Sequence, residues 1–223
     1  MTTRIALIHA VSVAIDPIAA AMRELWPEAG VMNLLDDSLS VDRARNVELS
    51  PDMHRRIGDL GDYALRAQAR GILYTCSAFG DAIAAFQART PVPVLKPNEA
   101  MFEEALAQGD RIGMLATFGP SVDSMTAEFD ELARSLGRDG ARLTTHCVPE
   151  AMSALRMGDA DSHNRLLAEA AHRFAGFDAV LLAHFSTSRA KAAVSAALGR
   201  PVLTSPHSAV SKLKALVKTP SRA

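Results

Sequence analysis

The chain has 223 residues, 48% hydrophobic and 22% charged, with a formal net charge of −1 and a pI near 6.7. This composition supports a packed core in one large domain or two small ones and excludes a disordered chain. No Lys/Arg stripe is present, so neither a nucleic acid nor an anionic membrane has an electrostatic footprint to bind.

The opening MTTRIALIHAV has one Arg, a short apolar run and no small-residue cleavage site. It does not read as a signal peptide, and no apolar run approaches the roughly 18–20 residues needed to span a bilayer. A soluble, cytoplasmic protein is expected. Cys76 and Cys147 lie in unrelated contexts and no CxxC pair occurs, so neither a disulfide nor a zinc site is expected. The basic tail KLKALVKTPSRA reads as a solvated helix end and a frayed terminus.

In chain order, apolar β-type runs fall at 4–11 (RIALIHAV), 30–35 (GVMNLL), 71–76 (GILYTC) and 91–97 (PVPVLKP). A second series follows at 111–118 (RIGMLATF), 141–148 (ARLTTHCV), 178–185 (DAVLLAHF) and 200–206 (RPVLTSP). Between them lie helical patterns at 16–26, 53–69, 122–136 and 161–175. Runs apolar on both faces, each followed by a helix, predict parallel strands covered on both sides. The expected fold class is α/β, built from βα units.

The two series align. Setting GILYTCSAF on AVLLAHFST places Cys76 on His184, an offset of 108, and PVLKP on PVLTS repeats that offset. IALIHAVSVAIDPI falls on IGMLATFGPSVDSM at 107. The expectation is two pseudo-symmetric parallel-sheet halves with an active site in the cleft between them. The halves would be 1–97 plus 207–223, and 98–206.

Ligands of open α/β sheets bind beyond the carboxyl ends of the strands. Those positions hold His9 to Ser12, Asp36, Asp37, Cys76, Ser77 and Lys96 to Glu99 in the first half. In the second they hold Thr117 to Ser121, His146, Cys147, His184 to Thr187 and Thr204 to His207. Ser77, Ser121, Ser186, Thr187 and Ser205 precede helices, where a hydroxyl either caps the helix or helps hold an anion. Neither GxGxxG nor GxxxxGK[ST] occurs, so a small carboxylate fits better than a nucleotide. Metal spacing such as HExxH is absent and no metal is expected. Cys76, between a strand and a helix start, is expected to have a lowered thiol pKa and to act as nucleophile or general base. An inert buried cysteine is the alternative, and that reading suits Cys147 better. His184, its repeat counterpart, would serve as a second acid/base group or as a substrate-binding residue.

TCSAFGDAI, LATFGPSV and LLAHFSTS, set in the βα repeat, resemble the aspartate/glutamate/hydantoin racemase superfamily, which includes maleate isomerases and arylmalonate decarboxylase. The resemblance spans nearly the whole chain, in layout more than identity. It implies a cofactor-independent enzyme acting at the carbon next to a carboxylate, in a homodimer or higher homo-oligomer. Cys76 matches the first catalytic cysteine and Ser77 the carboxylate-binding residue after it. His9, Ser12, Ala78, Thr117, Ser121, Val122, Phe185 and Ser186 are the further candidate substrate contacts. The chain departs from the family where the second cysteine belongs: His184 stands there, or Ala183 if the register slips by one. Racemisation or isomerisation, decarboxylation of a malonate-like diacid, and carboxylate binding without catalysis all stay open.

Overall fold

Each half of the chain threads its first strand through the middle of a sheet, and the same order results twice. The computed structural model describes residues 2–45 and 48–219. Strands β1 (Arg4–His9), β2 (Gly30–Leu35), β3 (Gly71–Tyr74) and β4 (Val94–Leu95) form a parallel sheet ordered β2-β1-β3-β4. Strands β5 (Arg111–Ala116), β6 (Arg142–Cys147), β7 (Ala179–Leu182) and β8 (Leu203–Thr204) form a second, ordered β6-β5-β7-β8. The helices are α1 (Ile15–Leu25), α2 (Ser38–Ala44), α3 (Pro51–Arg66), α4 (Gly80–Gln87), α5 (Glu99–Gln108), α6 (Val122–Ser135), α7 (Pro149–Arg156), α8 (Ala160–Ala171), α9 (Lys191–Leu198) and α10 (Ser205–Lys218). The expected α/β class with two parallel sheets is what the chain adopts. No described helix is long and apolar enough to cross a membrane.

The chain divides into two units, Met1–Asn98 with Ala209–Ala223, and Glu99–Ser208. The last four residues of the basic tail, 220–223, lie outside the described residues. Connectivity exchanges one helix between the units. α5 follows β4 but packs in the second unit; α10 follows β8 and packs its Ala209, Val210 and Leu213 in the first.

Period-2 alternation sorts the central strands into two core layers. Ile5, Leu7 and Leu73 pack with Ile18, Met22 and Trp26 of the α1 side. Ala6, Ile8, Ile72 and Tyr74 pack with Met53, Ile57 and Phe86 of α3 and α4. In the second unit Ile112, Met114 and Leu181 face α5 and α6, while Leu115, Val180 and Leu182 face the α8 side. The predicted strands at 91–97 and 200–206 shrink to two residues each. Pro91, Pro93 and Pro201 cannot donate to a ladder, which confines such segments to short sheet edges.

The α3–α4 contact depends on Gly61, which is buried. A Cβ there would lie 2.4 Å from Phe86 Cζ and 2.6 Å from Cε1, and the ring is held edge-on against Tyr74 at 6.3 Å. Gly61→Ala is expected to destabilise the protein by about 1–2 kcal/mol, overpacking outweighing the ~1 kcal/mol that Ala gains in a helix. Urea unfolding checks this.

Candidate active site

The ladder bonds fix which residues of the two units correspond. Beyond β3, the Thr75 N–H donates to the Ile8 carbonyl at 2.9 Å; beyond β7, the Ala183 N–H donates to the Leu115 carbonyl at 2.9 Å. β1 pairs Ile5 with Gly71, β5 pairs Ile112 with Ala179, and Leu73↔Leu95 recurs as Leu181↔Leu203. Thr75 therefore corresponds to Ala183, and Cys76 to His184. Within the chain, the counterpart of Cys76 is thus His184 and not Ala183. The first crossover has diverged: β1 pairs Arg4 with Gly30, whereas β5 pairs Arg111 with Arg142, so the β2 and β6 offset is 112.

In the first unit, Cys76 follows β3 in extended backbone (φ −125°, ψ 123°) and leads into a 3-10 turn, Ser77–Phe79. It is partly buried against the α3–α4 core layer. A small pocket with room for little more than a water is lined by Cys76, Phe79, His9, Tyr74, Leu39 and Ile57 among others. The thiol pKa is raised, chiefly by burial; the Ala78 N–H and the positive charge of Arg43 pull the other way. This corrects the expectation of a lowered pKa. The helix dipole was to lower it, but α4 begins only at Gly80 and a three-residue turn intervenes.

Arg43 was not legible as a site residue. It sits on α2, and its Nε donates to the Ala78 carbonyl at 3.2 Å, bracing the turn that carries Cys76. Arg56 anchors α2 in turn, bonding Asp36 at 2.6 Å and Asp42 at 2.7 Å. Arg43→Gln removes the positive charge, so the thiol pKa rises further. Iodoacetamide alkylation of Cys76, followed against pH in a Cys147→Ser background, is expected to move its midpoint upward.

His9 ends β1, fully buried. Its Nδ1 lies 2.9 Å from Thr75 Oγ1 and its Nε2 3.0 Å from Asn33 Oδ1. Burial lowers its pKa, against the opposing hydrogen bond to Asn33, and the two partners fix the ring plane. Ser12 begins the next 3-10 turn and is exposed.

In the second unit, His184 occupies the left-handed region at φ 69°. Only it and Gln68 do so among the described non-glycine residues. Its Nε2 lies 2.6 Å from Ser121 Oγ, and its buried Nδ1 has no hydrogen-bond partner. Burial lowers its pKa to about 4, against an upward pull from the Ala183 backbone. Thr117, buried, meets Thr187 at 3.3 Å between hydroxyl oxygens. Val122 opens α6 and packs on the core; Phe185 is buried, and Ser186 starts the 3-10 turn Ser186–Ala190.

The plain capping role of the strand-end serines is not observed at the turns beginning at Ser77 and Ser186 or at α6, none of which has a side-chain cap bond. Side-chain caps occur instead at Ser50 and Asp159. Cys147 ends β6, partly buried against the core. Burial raises its thiol pKa, with Glu150 adding to the shift. Among the described residues no group of three or more His, Cys, Asp or Glu is placed to hold a metal ion.

Residues 13–123, just under half of the chain, match the family described as Asp/Glu/Hydantoin racemase. No curated protein matches the chain by sequence. Among solved structures, glutamate racemase from Bacillus anthracis is 13% identical with a TM-score of 0.68, over 97% of this chain and 82% of that one. Allantoin racemase from Klebsiella pneumoniae is 16% identical with a TM-score of 0.67, over 97% and 88%. Unliganded arylmalonate decarboxylase is 17% identical with a TM-score of 0.67, over 100% and 95%. The resemblance read from the sequence is thus met by a family match and by fold neighbours.

Proposed function

From the premise that this chain carries the Asp/Glu/Hydantoin racemase pattern over residues 13–123, we propose that it is a cofactor-independent enzyme. It moves a proton at the carbon next to a carboxylate, with Cys76 and His184 as its two acid/base groups. The observation that carries this reading is the repeated ladder bond, which makes His184 the counterpart of Cys76.

Burial sets the resting protonation states. It raises the Cys76 thiol pKa and lowers that of His184, so near neutral pH the pair starts as thiol and neutral imidazole. In these forms His184 is a group that takes a proton, becoming imidazolium, and the Cys76 thiol a group that gives one, becoming thiolate. The Ala78 N–H and Arg43 stabilise that thiolate. Hydroxyls and backbone N–H groups of the strand-end turns, such as Ser77 in the first unit and Thr117 in the second, are the groups suited to holding a carboxylate and the charge that develops on it.

The substrate is a small carboxylate, amino acid or hydantoin-like compound. Glutamate, allantoin and arylmalonates, taken from the names of the fold neighbours, frame the panel to test. Incubation in D₂O, followed by NMR, should show α-deuteration of at least one panel member without release of CO₂. Exchange in none of them, with folded protein, would sink the reading.

A second reading, decarboxylation of a malonate-like diacid, is favoured by the single thiol. Once CO₂ has left, one proton donor suffices, and CO₂ evolution identifies it. A third, carboxylate binding without catalysis, is favoured by the raised thiol pKa. Calorimetric binding of a panel carboxylate by protein that exchanges the α-proton of none of them would support it.

A further inference from the structure

The hydroxyl of Ser121 heads α6 yet makes no cap bond. It meets two other groups: the Phe118 carbonyl at 2.9 Å and His184 Nε2 at 2.6 Å. A serine hydroxyl has one proton to give and two lone pairs to receive. A carbonyl can only accept, so the Ser121 proton goes to Phe118. The short contact to His184 is then satisfied only if Nε2 carries a proton and donates it to Oγ. A neutral imidazole has one N–H, so Nδ1 is left unprotonated, buried and without a hydrogen bond of its own, while the Ala183 backbone beside the ring favours the protonated form.

A buried nitrogen lone pair without a partner costs free energy unless something completes it. The left-handed backbone of His184 adds to that cost, since a non-glycine residue is held there only by its surroundings. Both costs fall on one residue, at the position that corresponds to Cys76.

We propose that Ser121 is a positioning residue for His184. It holds the imidazole as the Nε2–H tautomer and leaves Nδ1 as the atom that accepts the substrate's proton. In the resting protein Ser121 Oγ donates to the Phe118 carbonyl and accepts from His184 Nε2; on reaction, Nδ1 gains the α-proton and the imidazole becomes imidazolium, still donating from Nε2 to Ser121, in a form that the Ala183 backbone favours. The inference deepens the proposed function and rests on it for the identity of the proton. Its structural half stands alone.

The test reads the tautomer directly. Full-length protein labelled with ¹⁵N-histidine is examined near neutral pH by long-range ¹⁵N–¹H correlation, with the His184 signals assigned by their loss in His184→Asn. The expected wild-type pattern is protonated Nε2 and unprotonated Nδ1. Ser121→Ala should shift His184 towards the Nδ1–H form, and Ser121→Thr should restore the wild-type pattern. An Nδ1–H tautomer in the wild type, or an unchanged tautomer in Ser121→Ala, overturns the proposal. Where a panel carboxylate exchanges its α-proton, Ser121→Ala should lower kcat about tenfold or more with little change in KM. A fall in KM-dependent binding alone would count against it. If no panel member exchanges, the functional reading fails and the tautomer result decides the positioning role by itself.

Discussion

Cys76→Ser is expected to lower the rate of α-proton exchange by roughly 100- to 10,000-fold, the range that a positioned acid/base group contributes. Serine preserves the size of the side chain, so packing against the α3–α4 core layer is retained. What changes is the acidity of the proton on offer. In the same surroundings a hydroxyl is intrinsically far less acidic than a thiol, so the variant can neither give its proton nor hold the charge that results. Ala78 N–H and Arg43, which favour the thiolate, then have no anion to stabilise. Unfolding midpoints of the variant should stay close to wild type, within about 1 kcal/mol. Exchange near the wild-type rate, on a substrate that the wild type turns over, would remove Cys76 from the mechanism.

The second large effect is on stability, and its sign follows from His184. The unfolded chain binds a proton at that residue near the ordinary 6.5, the native chain only near 4. Between these values the unfolded state holds more protons, so stability falls as pH drops from about 6.5 to about 4 and is insensitive to this group below that. Allowing for the residue's partial exposure, the loss is about 2–3 kcal/mol over that window. His184→Asn lacks the titrating group, and asparagine tolerates the left-handed backbone. The stability difference between wild type and His184→Asn is therefore expected to move against the wild type by that amount between pH 7 and pH 4.5. Urea unfolding at the two pH values measures it; a constant difference would show that the imidazole is not held neutral by the fold.

The fold was legible because its signals are local and redundant. Apolar runs on both faces, as in β1, β3, β5 and β7, have few other solutions, and the repeat offset predicted the very pairing that the ladder bonds repeat. The short edge strands were overextended, since proline runs look like strands but cannot pair like them. The strand-end positions of Cys76 and His184, on which the proposed site rests, were legible. The support of that site was not. Arg43 lies on a seven-residue helix with a weak pattern, and its contact with Ala78 depends on tertiary docking through Arg56. Asn33 did leave a trace, as the only polar residue in GVMNLL. The acidity of Cys76 was misjudged chiefly because the burial that raises its pKa depends on tertiary packing, and because a 3-10 turn stands where a helix start was expected.

The two counterpart residues share a ladder position but not a backbone conformation: Cys76 is extended at φ −125°, while His184 is left-handed at φ 69°. A protein engineer who wished to give this chain a pair of matched sulfurs could not do so by exchanging one side chain. His184→Cys would place the new sulfur on a Cα–Cβ vector pointing along a different path from that of Cys76, and would charge it roughly 1–2 kcal/mol for the conformation. Symmetry of composition would have to begin with the main chain of the turn, by allowing residue 184 to relax into the extended form that its counterpart already has.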